Sequence, residues 1–183
     1  MDWREHPIWL PATLSDGVIT LDDHRPDDAE AYWAGEDWEM IRRFDAPYFR
    51  KAPLERLREE LARWSRARAE GGPDFRYALR SPEGLLAGGC ELRRVTPLRA
   101  NVSYWCFPAF RGRGLVSRAV RILRDAASKI DGLEELQAHI APDNVASQRV
   151  ALAAGFEPAG TIEAELADGG AETNLLFLVR LAG

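Results

Sequence analysis

The chain has 183 residues, 46% of them hydrophobic and 29% charged, with a formal net charge of -5 and a pI near 5.3. That length and balance fit one soluble globular domain with a sizeable core. The acidic surface argues against a general binder of nucleic acid or anionic membrane, whose footprint is basic.

No apolar run approaches membrane-spanning length, and residues 1–5 lack a signal-peptide apolar stretch, so the cytoplasm is the expected compartment. Residues 1–16 read as a Pro-broken arm on a single domain spanning 1–183. Its Trp3, Ile8, Trp9 and Leu10 need cover, from the domain or from a second copy, so a homodimer is one expectation. Gly17 to Leu21 reads as a first strand, ended by Asp22 and Asp23. Asp27 to Met40 reads as a helix with Asp27 as its cap, followed by a loop over residues 44–49. Pro53 opens a helix to about Glu70, with Leu54, Leu57, Leu61 and Trp64 at helical spacing, and Gly71-Gly72-Pro73 stops it.

Phe75–Leu79 and Leu85–Val95 form a predicted hairpin around Ser81-Pro82-Glu83-Gly84, and Ala100–Phe107 a further strand. Cys90 and Cys106 fall in these strands and read as small buried hydrophobes; a disulfide would need the strands to face each other. The chain then passes through Arg111-Gly112-Arg113-Gly114 into a helix from about Val116 to Ile130. Leu133–Ile140 is a strand, Asn144–Ala154 a helix stopped by Gly155, and Phe156–Leu166 with Thr173–Leu181 a closing pair of strands. Hairpins mixed with crossover helices predict an α+β fold with a mixed sheet.

The strand–turn–helix at Phe107–Ser128 carries the chemical signal. Such a turn aims several backbone N–H groups at one spot, where the helix dipole favours an anion. The same pattern also describes a tight connection with solvated arginines, so the local signal leaves both readings open. It lacks the Gly-Lys-Ser/Thr of a nucleotide-triphosphatase loop. Ser117 stands where a dinucleotide fingerprint needs a third Gly or Ala, and the acid it needs at the end of the next strand is missing, Asp131 falling before that strand.

Downstream the chain reads Asn144-Val145-Ala146-Ser147-Gln148-Arg149-Val150, then Gly155-Phe156. With Arg111, Gly114 and the segment Ser103-Tyr104-Trp105, this resembles the GNAT superfamily of acyl-CoA-dependent N-acetyltransferases. The similarity is to the branch of ribosomal-protein N-terminal acetyltransferases of RimJ/RimL type, over about Leu85 to Phe156. Val116 stands where that family usually has Gly or Ala. The resemblance implies a central mixed, mostly antiparallel sheet flanked by helices, with a V-shaped splay of strands at the acyl-CoA site. It implies acetyl-CoA as cofactor, no metal, and direct attack by a primary amine in a ternary complex. The amine belongs to a peptide N-terminus or a small molecule. The alternative is a catalytically silent GNAT-like module that binds acyl-CoA.

The resemblance also implies site residues. Trp105, Cys106 and Phe107 line the pantetheine. Arg111, Gly112, Arg113, Gly114, Leu115, Val116 and Ser117 hold the pyrophosphate. Asn144 bonds the pantetheine, or serves as a helix N-cap. Ser147 protonates the leaving thiolate, or is a satisfied helix serine. Related sequences often carry Glu where Asn101 stands, so Glu91 on the preceding strand is the substitute base, unless it is merely an exposed strand residue. At the substrate end, Trp33, Glu36, Asp37, Trp38 and Phe44 offer aromatic walls and acids for a cation, and also read as core tryptophans and surface acids.

Overall fold

A computed structural model describes residues 9–44, 50–71, 74–165 and 171–181. Five strands follow one another as antiparallel neighbours: β1 (Leu14–Ser15), β2 (Thr20–Asp23), β3 (Asp74–Arg80), β4 (Leu86–Arg94) and β5 (Arg99–Cys106). Next to β5 runs β6 (Glu135–Ile140), parallel to it. Beyond β6 comes β8 (Ala171–Arg180), antiparallel both to β6 and to the outermost strand, β7 (Glu157–Glu165). The helices are α1 (Ala29–Gly35), α2 (Trp38–Phe44), α3 (Leu54–Ala69), α4 (Leu115–Ala127) and α5 (Val145–Ala153).

Strand alternation sorts the side chains of β3 to β5 to two faces. Phe75, Tyr77, Cys90, Leu92 and Val102 bury against Ala119, Val120 and Leu123 of α4. Ala78, Trp105 and the following Phe107 bury on the other side with Ala29 and Tyr32 of α1, Met40 of α2, and Leu57 and Leu61 of α3. Fully burying each large apolar side chain contributes about 1.5–3 kcal/mol. The sheet is therefore covered on both faces, and helical periodicity around residues 54–64 and 115–126 foretold both layers.

The parallel pair decides where a ligand can enter. β5 and β6 are in register only at Arg99, Ala100 and Asn101, opposite Glu135, Leu136 and Gln137. Past those three pairs the strands part, and residues 102–106 face 138–140 across an unpaired gap. This is the splay expected from the resemblance. α4 starts at one side of the gap and α5 at the other.

Several boundaries differ from the sequence reading. The first strand proper is Thr20–Asp23, not Gly17–Leu21. Asp16 turns the chain at residues 17–19 by accepting from Val18 and Ile19 N–H. Asp22 and Asp23 stay in the strand because Arg80 and Arg68 pair with them. The helix expected over Asp27–Met40 is a 3-10 turn, Pro26–Asp28, then α1 and α2. Glu36 is extended (ψ 125), and Asp37 restarts the chain by accepting from Met40 N–H. Asp27 is not the cap; Asp28 accepts from Arg25 N–H and is gripped by Arg80. Of the arm, Leu10 is buried, Trp9 is exposed, and Trp3 and Ile8 lie outside the described residues. Cys90 and Cys106 sit on neighbouring strands but opposite Tyr104 and Gly88, and both are free thiols.

Candidate active site

The turn between β5 and α4 has the conformation that its glycines permit. Gly112 and Gly114 have φ of 76° and 73°, where an L side chain is disfavoured, and no protein atom lies within 4 Å of a Cβ built at either. From Gly112 to Ser117, no acceptor among the described residues meets a backbone N–H; the first bond runs from Arg118 N–H to Gly114 C=O. These six consecutive N–H groups, at the start of a 13-residue helix, are thus left without a protein acceptor among the described residues. Leu115 and Val116 turn their side chains into the core, so they offer only backbone at this turn. A valine at 116 therefore leaves the approach to the turn clear.

The arginines divide their roles. Arg111 forms a bidentate pair with Asp37 at 2.6 and 2.9 Å and also donates to Cys106 C=O at 3.1 Å. Its bonds to Asp37 hold that carboxyl below the usual range despite some burial. Arg113 lies over the Phe110 ring, 5.5 Å from its centroid. The sequence set Arg111 with the cofactor and Asp37 with the substrate; the fold joins them in one ion pair.

Across the gap, Asn144 is the N-cap of α5, its Oδ1 accepting from Ser147 N–H at 3.1 Å. The capping reading of Asn144 is thus met, and its amide Nδ2 has no acceptor among the described residues. Ser147 Oγ donates to the Tyr104 hydroxyl at 2.9 Å, and that hydroxyl donates to Ser147 C=O, also at 2.9 Å. In the sequence Tyr104 stands out only through its motif; alternation along β5 shows which face it takes, but no local pattern shows that α5 would meet it there.

On the opposite face of β5, Glu91 stands across from Ser103, and Asn101 donates to Ser103 Oγ at 3.4 Å. Glu91 faces Arg76 at 3.2 Å, and the buried Oδ1 of Asn101 meets no donor among the described residues. The fold thus puts Glu91 and Asn101 on one face of the sheet, with Ser103 of the Ser103-Tyr104-Trp105 motif opposite the first and bonded to the second. Trp105 is buried beside them, with the Phe44 ring 6.1 Å away; Phe107 packs edge-on to Tyr32 at 5.4 Å. Cys106 is half-buried and points with Tyr104 to the α4 side. Trp33 and Trp38 are exposed, Glu36 is half-buried, and Lys51 covers the Trp33 ring at 4.6 Å. Trp33 therefore already holds a cation of its own chain.

A family comparison matches residues 19–157 to the acetyltransferase (GNAT) domain. The chain belongs to the GNAT acetyltransferase family. Among proteins with curated descriptions, none matches this sequence. Solved structures with the same fold include RimL, the ribosomal L7/L12 α-N-protein acetyltransferase, in complex with coenzyme A: 17% identity, 94% of this chain and 97% of that one, TM-score 0.72. Mycobacterium smegmatis RimJ with a CoA disulfide aligns at 22% identity over 95% of this chain and 85% of that one, TM-score 0.67. The microcin C7 self-immunity acetyltransferase MccE, in complex with acetyl-CoA and AMP, aligns at 16% identity over 91% and 93%, TM-score 0.71. This GNAT chain is thus an acetyl-transferring protein by family, with the RimJ/RimL layout of sheet and helices that its motifs foretold. Among its described residues no helix is long and apolar enough to cross a membrane.

Proposed function

We propose that this GNAT protein is a cytoplasmic N-acetyltransferase that moves the acetyl group of acetyl-CoA to a primary amine by direct attack in a ternary complex. The row of unpartnered N–H groups from Gly112 to Ser117, at the mouth of the β5–β6 splay, carries the reading. These donors suit a pyrophosphate, and the gap-side edge of β5 up to Cys106 suits the amides of a pantetheine arm, the Phe107 N–H being spent on Ala87 C=O. A backbone N–H there would polarise the thioester oxygen. Asn144 would hold the arm, and Ser147 would meet the sulfur.

The amine approaches from the Glu91–Asn101 face. Asn101 takes no proton at neutral pH, and Glu91 is engaged by Arg76, so the site lacks a strong free base. Keeping a lysine-like amine (pKa about 10.4) neutral at pH 7 costs roughly 4.6 kcal/mol, against about 1 kcal/mol for a chain-terminal α-amine. The acceptor is therefore an α-amine of a peptide or protein, or a weakly basic small amine, with the exposed Trp38 and Phe44 and the half-buried Glu36 as the residues proposed to line its approach. The same weakness at the base supports a second reading, a silent module that binds acyl-CoA. The exposed Trp9 supports a homodimer, which equilibrium sedimentation reads directly.

Calorimetry with acetyl-CoA on the wild type and on Gly114→Asp tests the cofactor site. Asp adopts positive φ more readily than most residues and puts a negative charge into the open space of the turn. Micromolar binding, lost in a folded variant, is the expected result; a wild type that binds nothing ends the enzyme reading. Thiol release with a panel of amines then separates enzyme from silent module. The panel is a short peptide with a free α-amine, spermidine, and a lysine ester blocked at its α-amine.

A further inference from the structure

Tyr104 and Ser147 are 43 residues apart, yet the phenol oxygen lies within 2.9 Å of both oxygens of that serine. The contact joins β5, in the stretch where it has parted from β6, to the first turn of α5. Among the described residues Tyr104 is the sole side-chain partner of Ser147 Oγ. We infer that Tyr104 is a positioning residue for acyl transfer: its hydroxyl holds the Ser147 hydroxyl beside the gap and resupplies the proton that Ser147 hands to the departing thiolate. This rests on the assignment of Ser147 as the acid.

An alkyl hydroxyl is a poor acid towards a thiolate, whose conjugate thiol has a pKa of about 8.5. Ser147 can give up its proton only if it gains another in the same event. At rest Ser147 O–H donates to Tyr104, and Tyr104 O–H donates to Ser147 C=O. Rotation of the two hydroxyl hydrogens alone reverses the order, so that Tyr104 donates to Ser147 Oγ and Ser147 donates into the gap. Burial pushes the Tyr104 phenol up to about 12, with the Ser147 bond pulling the other way, so it stands as a neutral donor across the working pH range.

The step balances. As the tetrahedral adduct collapses, the C–S bond breaks and its electron pair stays on sulfur. Sulfur takes the Ser147 proton, Ser147 takes the Tyr104 proton, and the phenolate takes the proton shed by the acylated nitrogen, carried by solvent water. One N–C bond and one S–H bond form, one C–S bond and one N–H bond break, and both hydroxyls end unchanged.

The test is steady-state thiol release by wild type, Tyr104→Phe, Ser147→Ala and the double variant, with acetyl-CoA and the best acceptor of the amine panel. Tyr104→Phe should lower kcat about tenfold to a hundredfold while KM for acetyl-CoA stays within about twofold. Residues acting as a unit do not add, so the double variant should be no slower than Ser147→Ala. Replacement of Tyr104 by 3,5-difluorotyrosine keeps the ring packing and strengthens the acid, and should move the high-pH limb of kcat to lower pH. A Tyr104→Phe kcat within about twofold of wild type, or losses that multiply in the double variant, overturns the inference. If Tyr104→Phe does not fold, an unmoved limb in the fluorinated protein overturns it equally. A wild type that acetylates no amine removes the underlying reading; a wild type that works beside an unimpaired Tyr104→Phe removes this inference alone.

Discussion

At Gly88 the backbone has φ 155°, and an added Cβ would lie 2.2 Å from the carbonyl oxygen of Trp105. Neither partner can yield, because both are backbone in paired strands. Gly88→Ala should cost about 3 kcal/mol or more in urea unfolding. His24 is a second residue whose surroundings decide its chemistry. It is 1% exposed, set among the rings of Tyr32, Trp64 and Trp105. Burial pulls its pKa down to about 3, although Asp28 pulls it upward. In the unfolded chain it protonates at about 6.5. The stability from its neutral form is therefore complete above about 6.5 and lost as pH falls towards 3. Between pH 7 and pH 5 this amounts to about 2 kcal/mol, and His24→Phe should remove that share of the acid-side slope.

At the scale of elements, ion pairs tie the helices of the first half to the sheet and to the site. Arg80 of β3 bonds Asp28 in bidentate fashion at 2.6 and 2.8 Å and Asp22 of β2 at 2.8 Å, all with little exposure. Arg80→Met would leave the poorly solvated Asp28 carboxylate without its cation, while Asp22 would keep only its pair with the exposed Arg25. The expected loss is about 3–5 kcal/mol in denaturant unfolding. α2 bridges the two walls of the splay: Asp37 just before it pairs with Arg111 at the glycine turn, while Arg42 and Arg43 pair with Asp143 before α5 at 3.0 and 3.2 Å. These contacts span 74 to 101 residues of sequence, so only the folded chain shows that this segment ties the glycine turn to the start of α5.

For the whole molecule, a ligand that binds only the folded state adds RT ln(1 + [L]/Kd) to its stability. Coenzyme A at about a hundredfold its Kd should add about 2.7 kcal/mol and raise Tm by roughly 5–10 °C, while Gly114→Asp shifts far less. The proposed cofactor is an anion and the protein carries a net charge of -5, so on that reading attraction comes from the local turn rather than the overall field. Added salt should weaken binding only to the extent that it screens that turn.

By itself the sequence determined the features that depend on local spacing. Leu57 and Leu61 on α3, and Ala119 and Leu123 on α4, recur at helical period and bury as that period requires. The glycines at 112 and 114 mark the positive-φ turn, and Asn144 three residues before Ser147 marks a cap. Only the tertiary structure decided the rest, because each such feature joins residues far apart in the chain. The break at Glu36–Asp37 was hidden because a helical pattern runs through it, while the Arg111 partner that engages Asp37 lies 74 residues on. The aspartates at 22 and 23 look like strand breakers until Arg80 and Arg68 neutralise them. Tyr104 reaches Ser147 because β5 and β6 separate after three pairs, and where a parallel pair separates depends on the packing of α4 and α5 rather than on any local run of residues.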